Sequence, residues 1–231
     1  MMNLRPALPE PSLSCTRRRA GSPRSAALRP ATLALAGAIL AVVVLAGALS
    51  PWPARAAEER YVIDPNHMAI IFFVSHLGFA ETAGQFTRAE GSFVFDDAKP
   101  SVSDIEIKID AASVDTHHPA RDEHLRKEDF LWVEKFPEIT FRGTAAQQTG
   151  PRTGLIQGDL TIRGVTKPVV LDVTWNKSGA YPFGDQHWAA GFSAQTQIKR
   201  SDFGMTYAVA GGLVGDNVDI ILEFEAIRQP T

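Results

Sequence analysis

Beyond residue 60 the apolar residues recur with a period of two rather than 3.6, the spacing of β-strands with one face buried. Ile105, Ile107 and Ile109 alternate with Asp104, Glu106, Lys108 and Asp110. Leu160 and Ile162 stand against Asp159, Thr161 and Arg163, and Val169, Leu171, Val173 and Trp175 against Asp172 and Thr174. Phe192, Ala194, Thr196 and Ile198 alternate with Ser193, Gln195, Gln197 and Lys199, and Val218, Ile220, Leu222 and Phe224 with Asp219, Glu223 and Glu225. Turn residues fall between these runs: Gly143 and Gly150-Pro151, Gly164, Lys177-Ser178-Gly179 and Gly215-Asp216-Asn217. With Met68–Val74, Ala89–Phe95 and Ile139–Gln147 added, the pattern predicts about eight antiparallel strands. A sandwich or a closed barrel would bury their apolar faces, and closure also removes exposed edges. The interior of an eight-stranded barrel is filled by side chains or holds one small ligand.

One segment departs from the alternation. Residues 118–136 (HPARDEHLRKEDFLWVEKF) are rich in charged helix formers. Pro119 suits the first position of a short helix, Asp122 and Glu123 its first turn, and Arg126 and Lys127 its far end. Phe130, Leu131, Trp132, Val133 and Phe136 follow. Such a helix with an aromatic segment is expected either as a lid over a barrel mouth or as a plain cap on the core.

The opening of the chain has another character. Residues 17–29 hold five arginines, and the apolar, uncharged stretch Ala31–Leu49 leads to Pro51-Trp52-Pro53-Ala54-Arg55-Ala56. Basic region, apolar region and Ala-x-Ala site are the order of a secretory signal, with cleavage expected after Ala56 and 175 residues left from Ala57. The alternative is an uncleaved helix that anchors the chain, because about 19 apolar residues approach a bilayer span. Alanine and glycine dilute that stretch, and the cleavage site favours release. Arg17-Arg18-Arg19 lacks the continuation of a twin-arginine signal. A cysteine-free exported body points to a bacterial periplasm.

Composition then closes several function classes. The only cysteine of the 231 residues, Cys15, lies before the apolar stretch, so the body has no disulfide, thiolate nucleophile or Cys-bound metal, and Cys15 cannot be a lipidated cysteine. From Ala57 onward 16 basic and 25 acidic residues make a formal charge of −9, which argues against nucleic acid as a partner. All six histidines lie in the body. His117, His118 and His124 with Asp115, Asp122 and Glu123 offer zinc- or copper-type ligands. They are not spaced as a helical His-Glu-x-x-His, and a solvated surface is the simpler account. No Gly-x-Ser-x-Gly turn or phosphate-binding glycine loop is present, and Ser75-His76 is only a sequence neighbourhood.

Polar residues set in apolar stretches remain. His76 closes the run Ile70–Val74 and precedes Leu77-Gly78-Phe79; Arg200 and Asp202 stand beside Phe203 at a strand end. Each is read either as a tie in the structure or as a polar group at a barrel mouth.

These segments carry a resemblance. Tyr61-Val62-Ile63-Asp64-Pro65-Asn66-His67 leads to Val74-Ser75-His76-Leu77-Gly78-Phe79, then Gly84-Gln85-Phe86 and Gly91-Ser92-Phe93. Arg121-Asp122-Glu123-His124-Leu125, Asp129-Phe130 and Phe136-Pro137-Glu138-Ile139-Thr140-Phe141 follow. Gly158 to Pro168, Arg200 to Met205 and Gly215-Asp216-Asn217-Val218 complete the series. In these stretches the chain resembles the YceI family of exported, lipocalin-like bacterial proteins described as polyisoprenoid-binding. Met68 stands where the family carries a serine, and Leu131-Trp132 where a second Phe and a small or acidic residue are usual.

The resemblance implies an all-β, eight-stranded antiparallel lipocalin-like barrel with a long apolar tunnel, binding a polyisoprenoid or isoprenoid quinone without catalysis and without a further cofactor. It also implies association with a cytochrome b561-type membrane protein and a homodimer as partner arrangements. A tail of many carbons, at about 0.8 kcal/mol per buried CH2, needs a carrier in water, with a dry wall and one or two donors for its head. On that basis Phe73, Phe79, Phe86, Phe130, Trp132, Phe136, Phe141, Phe192 and Phe203 are expected in the wall. His76 and Arg200 are expected at the head, with Asp202 orienting Arg200. The competing readings are a carrier of another long-chain lipid such as a fatty acid or amide, a small metal protein using His117, His118 and His124, and an interaction module whose barrel is filled by its own side chains.

Overall fold

Among the described residues, ten strands and one short α-helix form a barrel whose first and last strands pair with each other. The computed structural model describes residues 58–230, so the leader and its cleavage site lie outside the described residues. The strands are β1 (Glu59–His76), β2 (Ala80–Phe86), β3 (Ala89–Asp96), β4 (Ser101–Asp110), β5 (Val114–Asp115), β6 (Glu138–Gln148), β7 (Thr153–Ile162), β8 (Val165–Ala180), β9 (Trp188–Lys199) and β10 (Val214–Arg228), with α1 at Pro119–Leu125. Every pairing is antiparallel, and closure runs from Tyr61 opposite Arg228 to Val74 opposite Val218.

Ten strands nevertheless make eight staves. The early part of β1 pairs with β3 (Glu59 opposite Phe95) and its later part with β2 (Ile70 opposite Phe86), so β2 and β3 are two lengths of one stave. β5 likewise continues β4 beyond a 3-10 turn at Ala111–Ser113. The two breaks lie side by side and are stitched together: Thr87 N–H donates to Ser113 O, Arg88 N–H to Ser113 Oγ, and Arg88 Nη2 pairs with Asp110 at 2.6 Å. The expected closed eight-stranded barrel is therefore present. Alternation did not reveal β2 because Ala80-Glu81-Thr82-Ala83-Gly84-Gln85 holds too few apolar residues to show a period.

Isoleucine, valine, leucine and phenylalanine point inward and the charged partners outward, the reverse of a membrane-spanning barrel with its apolar belt outside. The interior holds two packed regions. Tyr61, Phe93, Phe95, Phe192 and Ala226 are buried towards the end where β1 begins. Tyr61 stacks on Phe93 at 5.7 Å, and Phe95 meets Phe192 edge-on at 5.3 Å. Towards the other end Ile139, Ile162, Ile198, Leu131, Phe203 and Met205 are buried. Where a large ring lies flat along the wall, the facing strand has glycine: a Cβ on Gly158 would come within 2.3 Å of the Phe141 ring.

α1 begins as expected with Pro119 in its first turn, and the His118 ring caps it by accepting from Arg121 N–H at 3.2 Å. Asp122 does more than face the helix dipole. It is 7% exposed and accepts from the backbone N–H of Thr116 at 2.8 Å and from the Thr116 hydroxyl. Arg126 reaches back to Ala112 O and Val114 O, so the insertion is tied to the β4–β5 break. Burial raises the Asp122 carboxyl pKa. The Thr116 hydrogen bonds and the charges of Arg126 and Arg121 outweigh this and hold it below the usual carboxylate value. A carboxyl depressed in the folded state adds stability above its unfolded pKa, about 3.9, and loses it as pH falls through the lower folded value. Asp122→Asn is expected to lower the urea midpoint at pH 7 and to flatten its fall below about pH 4. Urea titrations of both proteins at several pH values check this, and parallel acid limbs would contradict it.

Candidate functional site

The barrel is not filled by its own side chains. A cavity of about 660 Å³ runs along it, within the roughly 300–1,000 Å³ range of small-molecule sites. Its middle is walled by inward positions of successive strands, among them Ile70, Ile107, Phe141, Ile156, Leu171, Ala194 and Leu222. These are the residues that strand alternation turns inward, so the wall is apolar for the same local reason that the strands form.

The two ends differ. At one, the wall continues to Ser101 on β4, the Gln147–Gly154 hairpin joining β6 to β7, and Trp175. At the other it is built by Ser75, His76, Thr82, Thr116 and Val214, by Arg121, His124 and Leu125 of α1, by Phe130 and Leu131 beyond it, and by Met205 and Tyr207. The charged insertion thus lies over one end of the cavity and contributes to its wall.

Of the residues singled out from sequence, His76, Phe86, Phe130, Phe141, Phe192 and Arg200 line the cavity. Six others do not. In the unbroken run Ile70–Val74 the inward members are Ile70, Phe72 and Val74, so Phe73 faces outward, opposite Asp219 and Ala83. Phe79 stands in the hairpin between β1 and β2 at 89% exposure. Trp132 adopts φ 50° and carries its ring away from the cavity, under the Lys135 ammonium at 4.3 Å. Phe136 meets Trp132 edge-on and lies against Gly164, where a Cβ would come within 2.8 Å of its ring. Phe203 is buried at 2% exposure, in the core behind the wall. Asp202 is exposed and makes no ion pair with Arg200.

Arg200 itself is a clamp. Its Nε donates to Gly215 O, its Nη1 to Met205 O, and its Nη2 to Tyr207 O and Val214 O, all at 2.7–2.9 Å. These carbonyls flank both ends of the loop before β10, and the guanidinium also faces the Phe130 ring at 5.8 Å. Burial lowers the Arg200 pKa, opposed by the charge of Asp216. That carboxylate accepts from Ser201 N–H and Oγ, so it stands where Asp202 was expected.

The three clustered histidines have separate contacts. His117 is exposed and its backbone N–H donates to Asp115; His118 caps α1; His124 lies edge-on to Phe130 and Tyr207, with Nε2 3.0 Å from Asp129. Among the described residues no three or more His, Cys, Asp or Glu side chains converge as a metal site.

Sequence reasoning missed Phe72, Phe93, Phe95, Phe224, Tyr207, Arg121 and His124 as wall residues. The alternation of Phe93 with Val94 and Phe95, and of Leu222 with Glu223 and Phe224, held the signal for three of them. Tyr207 lies in a loop, where no period operates.

Among the described residues, no Asp, Glu, Lys or Cys side chain reaches the wall. Among the described residues, neither the His76 ring nor the Tyr207 hydroxyl has a hydrogen-bonding partner, which leaves both available at the same end. The arrangement can enclose a long apolar chain and offer one or two neutral polar contacts to its head.

A model of the YceI-like domain matches residues 61–226. A UPF0312 protein of Ectopseudomonas mendocina (strain ymp) is 41% identical over 192 residues, covering 82% of this chain and 97% of that protein. The crystal structure of the Campylobacter jejuni YceI protein superposes with a TM-score of 0.61 at 30% identity, covering 68% of this chain and 90% of that one. A polyisoprenoid-binding domain from Saccharophagus degradans shares the fold at a TM-score of 0.52 and 13% identity, covering 75% of this chain and all of that domain.

Proposed function

The chain belongs to the YceI-like family, and from that premise we propose that it is a non-enzymatic carrier of an isoprenoid lipid, a polyisoprenoid or isoprenoid quinone, working in the bacterial periplasm after export by its leader. The observation that carries the reading is the apolar cavity of about 660 Å³ along the barrel. The polyisoprenoid-binding domain from Saccharophagus degradans, which shares the fold, supports the ligand class. A wall without Asp, Glu, Lys or Cys supports binding over catalysis, because it offers few groups for general acid–base work.

Polarity at the end beneath α1 favours a neutral head. Arg200 and Arg126 direct their N–H groups to backbone carbonyls, and Arg121 gives Nε and Nη2 to Thr116. A diphosphate needs charge-assisted donors to replace its water, whereas a carbonyl or hydroxyl needs one or two ordinary ones. The His76 ring and the Tyr207 hydroxyl supply that number.

The test is native mass spectrometry of protein produced from the full chain in a bacterial host, followed by organic extraction of whatever it carries. A bound isoprenoid with an uncharged head is the expected result. A fatty acid or amide would keep the carrier and change its cargo. Protein at its bare mass that takes up no added ubiquinone or polyprenol would overturn the reading. The same spectrum tests export, because removal of the leader leaves a chain beginning at Ala57.

A further inference from the structure

The end of the cavity beneath α1 has an apolar rim. Leu77 and Gly78 both take left-handed backbone conformations, φ 54° and 70°, and Phe79 N–H closes the turn on His76 O at 3.1 Å. Within the three-residue connection between His76 and Ala80, Leu77 and Gly78 thus take the two positive-φ positions that Asn-Gly or Asp-Gly normally fill in such a turn. Leucine is a costly choice at that φ, and here packing does not compensate it: Leu77 is 46% exposed and Phe79 89%. Leu77 N–H also donates to Leu213 O at 3.0 Å, which sets Leu213, 52% exposed, beside the hairpin. Tyr207, 48% exposed, belongs to the same loop, whose two ends are held by Arg200. Four exposed, largely apolar side chains are thus presented by two hydrogen-bonded loops, next to His76 and Val214 of the cavity wall.

We propose that this rim is a membrane-docking surface, on which the protein rests against a lipid bilayer while its ligand passes between bilayer and tunnel. The proposal rests on the carrier reading and adds the surface from which the cargo is taken. Three observations select a bilayer as the occupant. The patch is continuous with the tunnel mouth, so an apolar tail entering there need not cross water. Four side chains fall well short of the roughly 800 Å² per partner of a stable protein interface, while shallow insertion into lipid needs no such area. Polarity also differs between the two mouths: the opposite one is lined by Gln147, Gln148 and Arg152, with an exposed Phe183 on the β8–β9 loop outside the cavity wall, whereas here two leucines, a phenylalanine and a tyrosine hydroxyl are grouped beside the wall, a combination suited to the lipid–water boundary. With a body charge of −9, docking is apolar rather than electrostatic and favours zwitterionic lipid.

The test compares wild type with Leu77→Asn/Phe79→Ser, using phosphatidylcholine–phosphatidylethanolamine vesicles doped with ubiquinone. Wild type is expected to co-sediment with the vesicles in a salt-insensitive way and to take up ubiquinone from them. The double variant is expected to sediment at least tenfold more weakly and to load at least tenfold more slowly, yet to bind detergent-delivered ubiquinone as wild type does. Leu77→Asn alone relieves the turn and is expected to raise the thermal midpoint, which separates lost docking from damaged folding. A double variant that sediments and loads from vesicles like wild type would overturn the proposal. Failure of both proteins to bind detergent-delivered ubiquinone and polyprenol would instead overturn the carrier reading, and sedimentation would still decide docking.

Discussion

Arg200→Met will lower the free energy of unfolding by about 3–5 kcal/mol, the range found when a buried charged group is removed from its partners. Methionine keeps most of the apolar stem, so the change isolates the guanidinium. Arg200 is 4% exposed and holds four carbonyls, those of Met205, Tyr207, Val214 and Gly215. Each acceptor left dry after the change costs about 1–3 kcal/mol, and the loop will loosen to let water reach some of them. Arg200→Lys will recover only part of the loss, because an ammonium cannot span carbonyls arranged around a planar fork. Urea denaturation at pH 7 measures both variants. A loss below 1 kcal/mol for Arg200→Met would show that the loop does not depend on this clamp.

Ala194→Trp will reduce the affinity for an added polyprenol or ubiquinone at least a hundredfold while leaving the barrel folded. Ala194 is 5% exposed, lies on the cavity wall and stands between Leu222 of β10 and Val173 of β8. A large ring grown from it occupies space the ligand requires, and an unfilled cavity accepts the ring with less strain than a packed core would. Gln195→Trp is the matched control. One position along a strand reverses the face, so this ring points to solvent and binding stays within about twofold of wild type. Fluorescence titration with each lipid and thermal unfolding of both variants decide the matter. Equal loss in the two would mean that the cavity is not the binding site.

Local chemistry made much of this protein legible from its residues alone. The period-two alternation set strand positions and the all-β class, because a pleated strand puts successive side chains on opposite faces wherever it lies. Pro119 and the charged residues after it marked the helix for an equally local reason. An apolar interior followed from the same alternation, and so did wall residues such as Phe141 and Phe192.

What tertiary structure decided was facing and occupation. Ile70–Val74 is apolar at every position, so no local signal distinguishes Phe72 from Phe73; pairing of β1 with β2 and β10 turns Phe72 inward. An arginine followed two residues later by an aspartate reads as a pair, yet Arg200 spends its N–H groups on carbonyls 5–15 residues away in sequence. Phe79 reads as core by its type and is held in solvent by a turn. Alternation is a property of one strand, whereas the inward choice, the partners of a buried charge and the exposure of a loop depend on strands brought together only when the barrel closes.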